Sequence, residues 1–228
     1  MPEAKMRVEL IRHTLTPEEV VALGARLCYS KAGVDDLLKR VESKDQTAFV
    51  EKVMGMHHDS VLEHTSFTFA IEGVSRVLLA QITRHRLASF SVQSQRYTGA
   101  CFDLVIPDSM CRVELVDDII EAKKKIERLY TKAVKLGVPE EDARYLTFQA
   151  GATRMLVTMN ARELRHFFSL RMCSRAQWEI RALAKEMHRL CMGVAPALFA
   201  DAGPGCVRGA CPEGEKSCRR GGNEDERS

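Results

Sequence analysis

A change of hydrophobic period near Gly73 is the feature that most constrains how this chain folds. Residues 66–71 alternate polar and apolar side chains, as a half-buried β-strand does. Gly73 interrupts that alternation, and apolar residues at helical spacing then run from residue 74 to about residue 86. The pattern predicts that Gly73 separates a strand from the helix that follows it. It also predicts that a polar, arginine-rich loop follows the C-terminal end of that helix.

The remaining pattern mixes further helices and strands, without internal repeats. Strand-type patterns cover residues 6–11 and 153–159, and helical patterns cover residues 17–29, 45–57, 115–136, 140–146, 160–168 and 176–192. Thr16-Pro17-Glu18-Glu19 has the form of a capping box with proline at the first helical position. We therefore expect an α+β fold, with mixed helices and an antiparallel-rich sheet, in a single compact domain of residues 1–201. Residues 202–228, rich in Cys and Gly, are expected to form a tail that is flexible or stapled by a metal.

Composition excludes several classes of protein. At 228 residues and 45% hydrophobic content the chain can bury a sizeable core, and its net charge of +3 is too small for a general polyanion binder. No apolar run is long enough for a bilayer span, and the N-terminus lacks the pattern of a signal peptide. The expected location is therefore the cytoplasm, where most of the eight cysteines would stay reduced.

Residues 84–97 combine three arginines, one histidine and three serines, and this density indicates an anion site. Guanidinium groups match phosphate oxygens bidentately and stay charged, so a nucleotide fits this stretch better than a metal does. Arg84 and Arg86 could instead merely complement the dipole of the preceding helix. A hydrolase built on Ser94 and His85 is disfavoured, because the serine lacks a G-x-S-x-G elbow and a marked acidic partner.

The string R-H-R, seven residues, S, then x-R-Y resembles the signature of the flavin-dependent thymidylate synthases. Later blocks at residues 142–146, 160–168, 170–171 and 176–180 resemble those of the family in the same order, so the resemblance spans roughly residues 6–200. It implies an α+β fold and a homotetramer whose active sites combine several subunits and hold FAD at the interface. It also implies conversion of dUMP to dTMP, with carbon from methylenetetrahydrofolate and reducing equivalents from NADPH through the flavin.

The resemblance also assigns roles to individual residues. The residues expected to bind dUMP are Gln81, Arg84, Ser94, Gln95, Arg96, Arg144 and Arg171. Arg171 is the expected catalytic residue, because a fixed cation beside the pyrimidine stabilises negative charge that develops on the ring. The alternative for Arg171 is a structural ion pair with Glu163 or Glu179.

The expected FAD ligands fall on basic and amide positions that suit a pyrophosphate and the flavin ring nitrogens. They are His58, Ser60, Arg84, His85, Arg86, Val92 through its backbone, Asn160, Arg162 and His166. For His58 and His64 a structural network is the alternative. No metal site is expected, apart from a weak candidate at Cys206, Cys211 and Cys218, whose number and spacing fall short of recognised patterns.

Four positions depart from the family pattern. Ser91-Val92 replaces the Asn-Glu of many relatives, Thr147 replaces a proline after Leu146, and Arg175 replaces a histidine found in some relatives. These changes affect the expected contacts at the edge of the flavin and leave the reaction class intact. No cysteine falls in the motif, so none is assigned a catalytic role.

A non-enzymatic nucleotide- or RNA-binding module is the second function class that the basic loop allows. Phe90 and Tyr97 alone form a thin stacking platform, and an aromatic content of 6% is low for a single-strand binder. The sequence therefore favours the enzyme, with no nucleic-acid or membrane partner.

Overall fold

The computed structural model describes residues 4–97 and 103–218. Its strands, in chain order, are β1 (Arg7–His13), β2 (Ser66–Ser75), β3 (Ala88–Val92) and β4 (Ala152–Asn160). Its α-helices are α1 (Pro17–Tyr29), α2 (Val34–Glu42), α3 (Thr47–Gly55), α4 (Arg76–Ile82), α5 (Asp108–Cys111), α6 (Val116–Lys135), α7 (Glu140–Ala143), α8 (Ala161–Arg171), α9 (Trp178–Met192) and α10 (Pro196–Phe199). Short 3₁₀ helices cover Asp59–His64, Arg144–Leu146, Gly205–Val207 and Gly214–Lys216.

The strands form a four-stranded sheet in the order β1-β2-β4-β3. The hydroxyl oxygens of Thr68 in β2 and Thr158 in β4 lie 2.9 Å apart, and the N–H of Arg76, just after β2, donates to the carbonyl of Gly151, just before β4. Numbering therefore rises along β2 as it falls along β4, which makes this pair antiparallel. The predicted α+β fold with an antiparallel-rich sheet is confirmed.

The described residues fall into two compact units. The first unit comprises Met1–Arg7, Ala70–Arg84 and Phe90–Leu156, and the second comprises Val8–Phe69, His85–Ser89 and Val157–Ser228. The boundary between a domain of residues 1–201 and a tail of residues 202–228 stays a prediction, and residues 219–228 lie outside the described part. No helix in residues 4–97 and 103–218 is both long and apolar enough to cross a membrane.

Each unit has its own buried side chains. In the second unit the Phe199 ring packs edge-on against Phe67, with centroids 5.4 Å apart, and against Phe168 at 5.9 Å. In the first unit a smaller cluster forms where Tyr130 of α6 meets Ala143 of α7. Ala133, Val134 and Leu146 pack against this cluster, so part of the apolar face of the predicted amphipathic helix is covered here.

Several local expectations are wrong. Gly73 lies inside β2 with φ at +69°, because the backbone of Lys5 approaches so closely that a Cβ at residue 73 would lie 2.0 Å from the Lys5 carbonyl oxygen. The predicted helix of residues 74–86 is only α4, and β3 forms in the segment expected to be a loop. Thr16 makes no side-chain cap, since its φ of 43° is left-handed, although Pro17 does open α1. Helix α2 was not expected from the sequence.

Candidate functional site

A hydrogen-bonded chain of three ionisable side chains lies at the R-H-R motif, within the second unit. Nδ1 of His85 lies 2.8 Å from Oε1 of Glu163, and Nε of Arg171 donates to Nε2 of His85 at 3.1 Å. His85 and Glu163 are buried, with side chains only 3% and 5% exposed. Burial of both groups removes competing water, so the geometry of this chain is well defined.

The chain of hydrogen bonds fixes the tautomer of His85. Arginine can only donate, so Nε2 of His85 must accept from Arg171 and carries no proton. The ring proton therefore sits on Nδ1 and is donated to the Glu163 carboxylate. Glu163 thus orients a neutral imidazole, and the imidazole in turn holds the guanidinium of Arg171.

Electrostatics agrees with a neutral His85. Burial lowers the pKa of His85 below 6.5, and the charges of Arg171 and His166 lower it further, against the opposing effect of Glu163. Phe167 packs edge-on to the imidazole at 4.9 Å, and the His166 ring lies 5.8 Å away. Near neutral pH, His85 is therefore an uncharged hydrogen-bond acceptor for Arg171.

Helix α8 positions most of this site. The side chain of Asn160 accepts a hydrogen bond from the N–H of Glu163 at 2.8 Å and so caps the helix. Glu163 and Arg171 are eight residues apart, slightly more than two turns, which brings both to one side of α8. Arg162, exposed on the same helix, forms an ion pair with Glu63. Asn160 therefore has a structural role in addition to its predicted one.

In the first unit, the polar segment after β3 meets the turn after α7. Nη2 of Arg96 lies 2.7 Å from Oε2 of Glu141, and Nε2 of Gln95 donates to Oγ1 of Thr147 at 3.5 Å. Thr147 donates to the carbonyl of Arg144 at 2.8 Å, and the N–H of Arg96 donates to Oγ of Ser94 at 3.2 Å. Four predicted dUMP ligands are thereby brought together, and the hydroxyl of Thr147, which a proline could not supply, joins the two segments.

Arg76 adds a further positive charge in the first unit. Burial lowers the pKa of Arg76, and the nearby charge of Arg144 lowers it further. Its N–H donates to the carbonyls of Gln149 and Gly151. Two guanidinium groups that repel one another favour a site for an anion, because an anion relieves that repulsion.

The predicted site residues divide between the two units. The first unit holds Gln81, Arg84, Val92, Ser94, Gln95, Arg96 and Arg144, and the second holds His58, Ser60, His85, Arg86, Asn160, Arg162, His166 and Arg171. Sequence reasoning did not assign site roles to Glu63, Arg76, Glu141, Thr147 and Glu163. For Glu163 a signal existed, since it follows the capping asparagine by three residues and was named as an ion-pair candidate for Arg171.

His85, Glu163 and His166 could also bring three metal-ligand atoms within 4.8 Å of one another. Both ring nitrogens of His85 are already engaged, by Glu163 and by Arg171, so a metal would have to displace one of these bonds. The tail cysteines Cys206, Cys211 and Cys218 belong to no such group within the described residues. The weak metal candidate in the tail stays a prediction.

Comparison with known proteins gives the family. The family model described as "Thymidylate synthase complementing protein" matches residues 9–197. A flavin-dependent thymidylate synthase of Geobacter sulfurreducens is 52% identical over 217 residues, which cover 93% of this chain and 94% of that protein. Another, from Nitratidesulfovibrio vulgaris, is 45% identical over 237 residues, covering 96% and 97% of the two chains.

A solved structure of similar fold is the UMP/dUMP methylase PolB from Streptomyces cacaoi, bound with 5-Br dUMP. It superposes with a TM-score of 0.76 at 22% identity, covering 87% of this chain and 94% of the other. This likeness establishes the fold alone, whereas the extended sequence identities establish the family. The chain, with its R-H-R motif and its Glu163–His85–Arg171 network, belongs to the flavin-dependent thymidylate synthase family.

Proposed function

We propose that this chain is a flavin-dependent thymidylate synthase that methylates dUMP to dTMP. Methylenetetrahydrofolate supplies the carbon and NADPH supplies two electrons, so that dUMP, methylenetetrahydrofolate, NADPH and a proton give dTMP, tetrahydrofolate and NADP⁺. The observation that carries the proposal is the hydrogen-bonded chain that ends at Arg171, because it fixes the one cation that the family motif assigns to the pyrimidine.

Most of the residues proposed to bind dUMP lie in the first unit. Ser94, Gln95, Arg96 and Arg144 offer a hydroxyl, an amide and two guanidinium groups within one small region. Such donors suit a phosphate monoester, and the fork of an arginine can also bind a uracil edge. Arg96 is paired with Glu141, so phosphate binding would exchange one anionic partner for another. Gln81, Arg84 and Arg171 complete the proposed set.

Arg171 is the proposed catalytic residue. Its guanidinium stays charged throughout the working pH range, and His85 restricts its orientation. A cation held in this way stabilises negative charge on the pyrimidine without reorganising during the reaction. This makes the ring reactive towards the one-carbon unit, and no cysteine nucleophile is required.

The residues proposed for FAD have the donor chemistry that the cofactor needs. Arg86, Arg162 and His166 are exposed and basic, which suits a pyrophosphate. Asn160 uses its side-chain oxygen for the helix cap and keeps its amide N–H groups as donors. His58, Ser60, Arg84, His85 and the backbone of Val92 complete the proposed set. When bound, FAD supplies the redox chemistry that passes electrons from NADPH to the product.

Further parts of the proposal come from the family resemblance. These are the homotetramer with shared active sites, the use of NADPH and methylenetetrahydrofolate as co-substrates, and the location in the cytoplasm. The catalytic domain would comprise residues 1–201, followed by the tail of residues 202–228.

An anaerobic assay of the purified full chain tests the proposed function. The protein should show the absorbance of bound flavin, which bleaches when NADPH is added. On addition of methylenetetrahydrofolate and dUMP, it should form dTMP and regain oxidised flavin. A protein that takes up no FAD and forms no dTMP would contradict the proposal and favour the nucleotide-binding module.

A further inference from the structure

A pocket of about 350 Å³ lies among α1, α2 and α3 in the second unit. Among the described residues that line it are three cations, one imidazole and two aromatic rings, with no carboxylate. The lining residues that carry the inference are Arg26, Tyr29, Arg40, Phe49, Lys52 and His58. Apart from His58, none of these six belongs to the proposed dUMP or FAD sites.

Arg26 is held in this pocket without an acidic partner among residues 4–97 and 103–218. Its guanidinium carbon lies 3.9 Å from the centroid of the Phe49 ring, and Nη2 donates to Oε1 of the buried Gln46 at 3.1 Å. Gln46 is itself fixed through donation to the carbonyls of Val41 and Lys44. Arg26 therefore keeps its full positive charge at a defined position beside an aromatic face.

Two buried nitrogen atoms of the pocket lack hydrogen-bond partners within the described part of the chain. They are Nε of Arg26 and Nδ1 of His58. Buried polar atoms are nearly always paired, and an exception needs an explanation such as a bound group that rearranges the site. These unpaired atoms both belong to residues that line the pocket, and they favour a ligand site over a purely structural cluster.

Arg40 on α2 and Lys52 on α3 supply the remaining charge. Both are exposed, and neither forms an ion pair within residues 4–97 and 103–218. The acidic residues of these two helices, which are Asp35, Asp36, Glu42 and Glu51, do not line the pocket. The lining of the pocket therefore carries positive charge without a carboxylate among its described residues, and such a lining attracts an anion.

Tyr29 adds a free aromatic surface at the same place. The residue is 80% exposed, and its ring makes an edge contact with His58, with centroids 5.8 Å apart. A large exposed aromatic next to uncompensated cations suits a ligand that joins a planar ring to an anionic group. The volume lies at the lower end of the range for small-molecule sites, so it fits a nucleoside phosphate better than a whole dinucleotide.

We propose that this pocket binds the 2′-phosphoadenosine end of NADPH, with Arg40 and Lys52 at the phosphate and Tyr29 against the adenine. Arginine close to the adenosine ribose is a general means of accepting a 2′-phosphate. The identity of the ligand rests on the proposed function, because that reaction requires a pyridine-nucleotide reductant. The pocket then determines the preference for NADPH over NADH.

The first test is a double variant of the full, FAD-loaded enzyme, Arg40→Gln with Lys52→Gln. The preference for NADPH over NADH, measured as the ratio of kcat/KM values, should fall roughly tenfold. The variant removes contacts to the 2′-phosphate, which NADPH carries and NADH lacks. The matched control is Lys39→Gln with Lys44→Gln, which removes two exposed lysines that do not line the pocket. The control should keep the preference of the unmodified enzyme.

Two results would overturn the proposal. One is an unchanged ratio of the kcat/KM values, which includes an equal loss with NADPH and NADH. The other is a rise confined to the KM for methylenetetrahydrofolate, which would assign the pocket to the glutamate carboxylates of the folate.

Calorimetry on the unmodified chain separates this proposal from the proposed function. Adenosine 2′,5′-bisphosphate should bind at least roughly tenfold more tightly than adenosine 5′-monophosphate, and added salt should weaken the difference. Binding of the bisphosphate by a chain that forms no dTMP would support the pocket and reject the synthase. Equal binding of the two nucleotides by an active synthase would reject the pocket alone.

Discussion

At the scale of single residues, the buried contact between Glu163 and His85 has the clearest consequences. Oε1 of Glu163 accepts the Nδ1 proton of His85, and this leaves Nε2 free to accept from Arg171. A change at Glu163 should therefore reach the pyrimidine through two hydrogen bonds, although Glu163 itself touches no substrate in the proposed mechanism. Glu163 is a positioning residue for Arg171.

Glu163→Gln should lower kcat by roughly tenfold, which corresponds to about 1.4 kcal/mol, with a smaller change in the KM for dUMP. The variant removes the carboxylate charge that raises the pKa of His85, so that pKa should fall further. Steady-state kinetics and an NMR titration of the His85 ring would measure both effects. Glu186→Gln, which alters an exposed pair with Arg189, is the control. An unchanged His85 pKa in Glu163→Gln would contradict this role.

His85 should also make stability depend on pH. The pKa of His85 is lowered in the folded protein from 6.5, so the unfolded chain binds more protons below pH 6.5. This contribution is fully present above pH 6.5 and is lost as the pH falls from about 6.5 towards the folded pKa. Urea unfolding between pH 7.5 and pH 5 should show a steeper loss for the unmodified chain than for His85→Gln. Equal slopes would show that His85 does not contribute.

At the scale of elements, the hydroxyl of Thr147 links the segment after β3 to the turn after α7. Thr147→Val removes the bond from Gln95 and the bond to the carbonyl of Arg144. We expect the KM for dUMP to rise roughly two- to tenfold with little change in kcat, since these bonds position ligands for binding. Thr131→Val removes a comparable hydroxyl bond, to Glu127 in α6, and serves as the control. A fall in kcat alone would contradict the assignment to binding.

A substitution at Gly73 in β2 would test the close approach of the Lys5 backbone to this strand. Gly73→Ala should destabilise the protein by more than roughly 1 kcal/mol, because φ is positive and the new Cβ would collide with the carbonyl of Lys5. Gly137→Ala has the same strain at φ of +88° but open space around the Cβ, so its loss in urea unfolding should be smaller. Equal losses would mean that the collision is relieved by movement of residue 5.

At the scale of the whole chain, Arg175 links the end of the second unit to its body. Nη1 of Arg175 donates to the carbonyl of Lys216 at 2.7 Å and lies 3.3 Å from Oε2 of Glu213. Arg165 is bound bidentately by Asp201, just before the tail. Arg175 thus holds the described segment around residues 213–216.

Arg175→Gln should speed backbone hydrogen exchange across residues 205–218 while leaving the thermal midpoint nearly unchanged, because the lost contacts are partly exposed. Arg189→Gln, on the surface of α9, should leave exchange in the tail unaffected. Faster exchange throughout the second unit would instead show that Arg175 supports the fold itself.

The sequence by itself determined the fold class, the approximate positions of most helices and strands, and the family to which the chain belongs. Hydrophobic period and the R-H-R motif are local properties, and they can be read without knowing which segments meet. For the same reason the sequence identified Arg171, Ser94, Gln95, Arg96 and Arg144 as candidate site residues.

Only the tertiary structure decided which partners those residues have. Residues 85 and 163 are far apart in the sequence, and burial brings them together as a hydrogen-bonded pair. Gly73 was expected to end a strand, but it lies within β2. The close approach of the Lys5 backbone leaves no room for a Cβ at this position. The cations of the α1–α2–α3 pocket come from three separate helices. Charge, strain and hydrogen bonding between distant segments depend on packing, so local pattern cannot specify them.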